Sequence, residues 1–250
     1  MKNGTFISAA IVTYNCGDTA IDAIKSVLEN TKKYPLEFYI FDNGSTDKTV
    51  KLLKEQDAIS LVEIGRNLGF GAAHNKILGN QMGKYHFVIN PDIIVKSDVL
   101  SDMVDFMEQN PDIVMCMPKI LNADGTEQKL PKQRPTFKTL FFGRLSQKIR
   151  NDYIWADREI TKVTDVDFCT GCFFCIRSEI FKKLGGFDKR FFMYLEDADL
   201  TIRAKKHGRV VMNPDISVTH IWERESAKKI KYLLIHIFSA IKFLLKREGN

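Results

Sequence analysis

Leu36-Glu37-Phe38-Tyr39-Ile40-Phe41 is a largely apolar run that stops at Asp42-Asn43-Gly44-Ser45-Thr46-Asp47, after which helical periodicity begins. The first part reads as a strand. Gly44 permits a tight turn, and Ser45, Thr46 or Asp47 can cap the helix that follows. The same alternation spreads outward in both directions. Apolar runs at 6–13, 36–41, 59–64, 85–90 and 112–117 are separated by stretches of helical period at 18–30, 46–56, 71–81 and 97–109. That order predicts βαβ units: an α/β domain with a mostly parallel sheet flanked by helices. Such sheets bind ligands at the carboxyl ends of their strands. Polar motifs fall there: Thr13-Tyr14-Asn15, Asp42-Asn43-Gly44-Ser45, Arg66-Asn67 and Asn90-Pro91-Asp92.

With 250 residues, 44% hydrophobic and 27% charged, the chain has the size and composition of one soluble globular domain. Its net charge of +6 gathers in 129–150 and 224–247. A basic surface suits nucleic acid, an anionic membrane or phosphorylated substrates, and charge alone does not choose among them. The apolar run 6–12 stops at Tyr14-Asn15 without a cleavage pattern and reads as a strand rather than a signal peptide. No apolar stretch reaches the roughly 18–20 residues of a membrane-spanning helix, so a cytoplasmic protein is expected. Cys169, Cys172 and Cys175 invite a metal-site check. In a strand Cys172 would face away from the other two, and no fourth ligand stands nearby, so they read as structural thiols in a reducing compartment.

From 119 to 165 the regularity fades into a mobile excursion, with a basic-apolar helix expected inside Phe137–Arg150. A strand is expected at 166–177, helices near 178–184 and 194–207, and an extended stretch at 209–220. One domain, 1–225, with an insert at 119–165 fits better than two. The tail, 226–250, reads as an amphipathic helix whose wide apolar face has basic edges. It fits a bilayer interface, its own domain or a homodimer partner.

Asp92 is a lone carboxylate on a turn past a strand, suited to holding a hard divalent cation together with substrate phosphates. Glu196 and Asp197, adjacent acids beside Phe191-Phe192-Met193-Tyr194, offer a general base. Asp42, at a strand end, can accept hydrogen bonds from a nucleobase or ribose. Asn67-Leu68-Gly69-Phe70-Gly71-Ala72-Ala73-His74-Asn75 turns into a helix but is not a dinucleotide fingerprint, since His74 occupies the third glycine position. Its glycines still allow close approach of an anion to a helix start.

In order and spacing these pieces resemble the family 2 glycosyltransferases, which have the GT-A fold. The resemblance covers nearly all of 6–222 and rests on V-T-Y-N, D-N-G-S-T-D, N-x-G-F-G-x-x-x-N, N-P-D, Thr170-Gly171 and G-G-F-D…F-F-M-Y-x-E-D-x-D-L. The N-P-D and F-F-M-Y-x-E-D forms look most like the rhamnosyltransferase-like branch, whose members build bacterial surface polysaccharides. The resemblance implies an inverting, metal-dependent transferase moving a sugar, best matched by rhamnose from dTDP-rhamnose, to a hydroxyl of a lipid-linked saccharide. It implies that Thr13, Asn15, Asp42, Asn67 and Asn75 form the donor pocket, that Asp92 and His220 hold Mg²⁺ or Mn²⁺, and that Asp197 is the base with Glu196 beside it in the acceptor site. It further implies a dTDP- or UDP-sugar donor and a peripheral location on the inner face of the cell membrane.

Asn90 departs from the D-x-D pattern and removes one carboxylate. His220 also reads as an ordinary strand-end histidine. Asp188 and Asp199 are expected to order a turn and to pair within a helix. Phe191, Phe192, Tyr194 and Trp222 offer an apolar wall for a sugar ring, or core packing. The rival from another class is a noncatalytic nucleotide-sugar-binding or membrane-associated module of the same fold. A nucleic-acid binder is disfavoured, because the basic residues are not interleaved with a stacking platform.

Overall fold

The computed structural model describes residues 6–143, 145–221 and 230–246. In chain order the strands are β1 (Ile7–Thr13), β2 (Leu36–Asp42), β3 (Ser60–Glu63), β4 (Tyr85–Ile89), β5 (Ile93–Ile94), β6 (Ile113–Leu121), β7 (Thr164–Asp165), β8 (Phe173–Arg177) and β9 (Arg209–His220). The helices are α1 (Gly17–Asn30), α2 (Thr49–Lys54), α3 (Phe70–His74), α4 (Val99–Gln109), α5 (Phe137–Phe142), α6 (Gln147–Ile154), α7 (Ser178–Lys183), α8 (Glu196–Ala204) and α9 (Ile230–Leu245).

Among the described residues the strands make one sheet in the order β3-β2-β1-β4-β8-β6-β9-β5, with β7 added against β9. The pairs β1/β2, β2/β3 and β1/β4 are parallel, as is β6/β9. β8 enters antiparallel between β4 and β6, and β5 lies antiparallel on β9. Continuous apolar runs explain the buried centre. Every residue of β1 and β4 is buried, as expected for strands covered on both faces. In α1 the buried stripe Ala20, Ala23, Ile24 and Val27 keeps helical spacing, and α4 buries Leu100, Met103, Val104 and Met107 likewise. Each fully buried Val, Leu, Ile or Met contributes roughly 1.5–3 kcal/mol.

This topology puts the ends of β1, β2, β3 and β4 on one edge of the sheet. The loops after them are tied to one another: Asn43 N–H donates to the Thr13 carbonyl at 2.8 Å, and Ile64 N–H to the Asp42 carbonyl at 2.8 Å. The start of β8 joins the same edge, where Asn90 N–H donates to the Cys172 carbonyl at 2.8 Å.

A second, smaller apolar cluster lies beside the main core. It joins Phe168, Phe191, Leu195, Ala198, Ala240 and Phe243, with Leu140, Tyr153 and Tyr194 against it. It therefore binds the insert, the segment before α8 and the tail helix into one unit.

Several local expectations are corrected. The strand expected at 166–177 is cut to β8, because residues before it turn their backbone groups to α8 instead of a ladder. Cys169 N–H donates to Thr201 Oγ1 at 3.1 Å and Gly171 N–H to Asp197 Oδ2 at 2.8 Å. Cys172 consequently sits in a turn, and Cys169, Cys172 and Cys175 are all buried free thiols. The single helix expected in 137–150 is two, α5 and α6. Thr136 and Thr139 form a capping box at the start of α5, and Ser146 caps α6. The helix expected at 71–81 is α3 followed by a 3₁₀ segment, Asn75–Gly79. The helix expected at 46–56 begins at Thr49, with Asp47 accepting from Thr49 N–H at 2.9 Å. The tail is helical over α9, and no described helix is long and apolar enough to cross a membrane.

Candidate active site

On the β1–β3 side the polar motifs form a bonded rim. The Asp42 carboxylate accepts from Thr13 Oγ1 (3.1 Å), Gly44 N–H (3.2 Å), Ser45 N–H (3.0 Å) and Ser45 Oγ (2.5 Å). Thr13 and Asp42 are buried, and that shell fixes the turn after β2. Asn15, exposed and held at φ 52°, accepts from Thr46 N–H at 2.8 Å through its side chain. Asn67 is exposed as well. Its carbonyl oxygen accepts from Asn43 Nδ2 at 3.0 Å and from Gly69 N–H at 2.9 Å. Asn43, which carried no assigned role in the sequence reading, is the buried fork of this rim, since its own oxygen accepts from Leu68 N–H at 2.8 Å.

Asn75 is placed differently from the expectation. It is buried, and its amide spends both ends on Phe187, donating to the carbonyl at 2.7 Å and accepting from the N–H at 2.8 Å. It braces the Gly186-Phe187 turn and does not face a ligand. The N-x-G-F-G spacing encodes another close approach: Gly69, at φ +86°, lies so near Phe192 that a Cβ would stand 2.0 Å from the Phe192 carbonyl oxygen. Phe70 N–H donates to that oxygen at 2.9 Å.

Asp92 and His220, 128 positions apart in the chain, meet. β5 pairs Ile93 with His220, and Ile221 N–H donates to the Asp92 carbonyl at 2.8 Å. This register sets His220 Nε2 3.1 Å from Asp92 Oδ1. His220 Nδ1 lies 2.8 Å from Gln128 Oε1. With Nδ1 donating to that oxygen, the Nε2 lone pair faces the Asp92 side, the arrangement in which imidazole ligates a metal. Gln128 lies in the irregular insert and carried no sequence signal. Among the described residues no group of three or more His, Cys, Asp or Glu gathers as a metal site. The donor set that fits a divalent ion is this pair, with the remaining positions left to phosphate oxygens and water.

Asp197 stands on the first turn of α8. Its Oδ2 accepts from Gly171 N–H at 2.8 Å and its Oδ1 from Ala198 N–H at 2.9 Å. Tyr194 (φ 72°) and Leu195 (φ 69°) immediately before α8 are both left-handed. Such conformations cost on the order of 1–3 kcal/mol each in non-glycine residues and concentrate at functional sites. Burial raises the Asp197 carboxyl to about 6, against hydrogen bonds from Gly171 and Ala198 that lower it. Glu196 is displaced from its expected place. It is buried against Gly71, and burial together with the Asp197 charge pushes it well above the usual range. It packs behind Asp197 and is absent from the cavity that Asp197 lines.

That cavity, of about 490 Å³, is walled by Arg150, Tyr153, Phe168, Tyr194, Asp197 and His236. Its residues come from the insert, the turn before α8 and the tail. Phe191 is core, Phe192 is partly exposed, and Trp222 lies outside the described residues. Asp199 pairs with Arg203 one turn on, at 2.7 Å, and Asp188 with Arg190 at 2.5 Å.

Two curated relatives span most of the chain. One is the N-acetylglucosaminyl-diphospho-decaprenol L-rhamnosyltransferase of Mycobacterium tuberculosis, 28% identical over 96% of this chain and 84% of its own length. The other is rhamnosyltransferase WbbL of Escherichia coli, 28% identical over 91% of this chain and 89% of its own. Among solved structures, a Pyrobaculum calidifontis mannosyltransferase with GDP-Man and Mn²⁺ superposes with a TM-score of 0.66 at 19% identity, over 100% of this chain and 66% of that one. Staphylococcus aureus TarS with UDP gives 0.63 at 15% identity, over 97% and 67%. At these identities the two structures establish the shared fold alone. The Glycosyl transferase family 2 profile matches residues 8–185, spanning the rim around Asp42, the Asn90-Pro91-Asp92 turn and the strand that follows Gly171. This chain belongs to glycosyl transferase family 2, with the GT-A-type fold and the glycosyltransferase activity of that family.

Proposed function

We propose that the protein is an inverting rhamnosyltransferase that moves L-rhamnose from dTDP-rhamnose to a hydroxyl of a lipid-linked saccharide in bacterial surface polysaccharide synthesis. The observation that carries this reading is Asp197, a carboxylate tuned to about 6 and held by Gly171 in the wall of an apolar cavity. The names of the two full-length relatives support the choice of sugar and of acceptor class.

A base works best when its pKa lies near the operating pH, and positioned proton transfer contributes roughly 10²–10⁴-fold. Asp197 takes the proton of the acceptor hydroxyl while that oxygen attacks the anomeric carbon. The bond from that carbon to the diphosphate breaks on the opposite face, its electron pair leaves with the diphosphate, and the configuration inverts. Asp92 and His220 would hold Mg²⁺ or Mn²⁺. The ion would supply Lewis-acid stabilisation of the leaving group. The rim of Thr13, Asn15, Asp42 and Asn67 would seat the nucleoside, and Arg150 sets a cation in the acceptor cavity.

Membrane contact follows from what α9 leaves outside. Ser239, Ala240 and Phe243 pack inward, whereas Ile230, Leu234, Phe238 and Leu245 are exposed, as are Phe137, Phe142 and Leu145 beside the same cavity. Neither 137–149 nor 230–246 contains an acidic residue. This apolar face, edged by the exposed Lys138, Lys148 and Lys231, suits an anionic leaflet, and a two-fold dimer across it would bring like charges together.

The test is donor hydrolysis and transfer across a panel of nucleotide sugars, with Mn²⁺, Mg²⁺ or EDTA. Metal-dependent release of dTDP from dTDP-rhamnose is expected, lost in Asp92→Asn. Turnover of a different donor, or undiminished turnover in EDTA, would overturn the rhamnosyl or the metal assignment respectively.

A further inference from the structure

Lys132 is a charged side chain in an improbable place. It is 2% exposed, in the insert, yet among the described residues no carboxylate pairs with it. Its Nζ donates to the Leu130 carbonyl at 3.1 Å, which leaves two of its three N–H groups without an acceptor among the described residues. Burying an ammonium group this thinly bonded is costly. Burial also pulls its pKa below the usual lysine range, with the charge of Glu127 opposing.

Its neighbours place it between the two chemical halves of the site. The side chain folds back onto its own segment, which also carries Gln128, the residue bonded to His220. It also lies in the field of Cys172 and Cys169, the two ends of the turn after Phe168. That turn holds Asn90 through the Cys172 carbonyl and Asp197 through Gly171 N–H. The backbone of Lys132 is fixed from both sides: its N–H donates to the Tyr153 carbonyl at 3.1 Å and its carbonyl accepts from Asp167 N–H at 2.8 Å. An apolar side chain of the same length would fill this space without the desolvation cost, so the charge calls for an anionic partner.

We propose that Lys132 is a ligand of the donor's sugar-bearing phosphate and holds the diphosphate as it departs. The proposal rests on the reading of this chain as a nucleotide-sugar transferase. When the bond between the anomeric carbon and the β-phosphate oxygen breaks, the electron pair passes to that oxygen. Lys132 keeps its proton and donates hydrogen bonds to the charge that develops. Asn90, standing where a second carboxylate would help to hold a metal, makes a protein cation at this phosphate more consequential.

The experiment is calorimetry on the full chain with Mn²⁺, titrating dTDP, UDP, dTMP and UMP into wild type and Lys132→Met. The diphosphate that wild type binds should lose about 10–100-fold in affinity, the worth of charge-assisted hydrogen bonds, while its monophosphate shifts less than about two-fold. Thermal unfolding of Lys132→Met should be unchanged or raised, because removing an unpaired buried charge is neutral or stabilising. Diphosphate affinity within about two-fold of wild type overturns the proposal, as does equal weakening of mono- and diphosphate. Lys132→Gln, read the same way, serves if the methionine variant does not fold. Absence of nucleotide binding by wild type removes the donor reading and this proposal with it, whereas a loss confined to the variants leaves that reading intact.

Discussion

Replacing Asp197 by Asn should inactivate the enzyme and stabilise it, and both effects can be sized from the same carboxyl. Burial lifts its pKa from 3.8 to about 6. Each unit is worth about 1.4 kcal/mol, so two units amount to about 3 kcal/mol, an upper figure because the cavity admits water to one side. The sign follows from proton counting. Between pH 3.8 and 6 the folded chain holds a proton that the unfolded chain has released, so stability falls as pH rises through that window. Above pH 6 the full cost of keeping the carboxylate buried is present, and below pH 3.8 it is gone. Glu196 is raised as well, by burial and by its neighbour's charge, so the two carboxyls titrate as a pair. Asn at 197 removes that charge and keeps an acceptor for Gly171 N–H, while its NH2 faces Ala198 N–H, an offset of about 1 kcal/mol. Its melting temperature at pH 8 should exceed wild type by several degrees, at about 2–4 °C per kcal/mol for a chain of this size. The difference should close by pH 4. Activity should fall roughly 10²–10⁴-fold, and the acid limb of the wild-type kcat/KM profile should lie near pH 6. Scanning fluorimetry from pH 4 to 8 and initial rates over the same range test both. A variant less stable than wild type at pH 8, or a wild-type acid limb at ordinary carboxylate pH, would refute the assignment.

Asn75→Ala should destabilise the fold by about 2–4 kcal/mol, since it strands the buried Phe187 N–H and carbonyl, and urea unfolding would read the loss. Leu234→Glu with Phe238→Glu should abolish co-sedimentation with phosphatidylglycerol vesicles while leaving nucleoside diphosphate affinity unchanged. Retained vesicle binding would exclude the outer face of α9 as the contact surface.

The strand-turn-helix alternation up to Leu121 was legible because each buried strand is a continuous apolar run and each polar turn residue sits at its end. The meeting of Asp92 with His220 was legible only through family resemblance, because the β5/β9 pairing that creates it is two residues long. Cys169–Cys172 misled for a physical reason: apolar flanks are shared by strands and buried turns, and only the hydrogen bonds to Asp197 and Thr201 distinguish them. Asn75 and Glu196 read as pocket residues because polar type does not reveal direction, and both side chains turn inward. Gln128 and Lys132 lie where no periodicity marks a face, so their contribution emerges only when the insert is folded against β9 and the turn before β8.

The inner face of α9 is bonded to the segment that leads into Asp197. Ser239 Oγ donates to the Met193 carbonyl and Lys242 Nζ to the Arg190 carbonyl, each at 2.8 Å, Lys246 pairs with Asp188 and Asp199, and His236 packs edge-on to Tyr194. The two left-handed residues before α8 are thus clamped from outside by α9. Trimming the protein back to the parallel core, the usual route to a better-behaved sample, would therefore leave the Asp42 rim untouched and release the segment that positions Asp197.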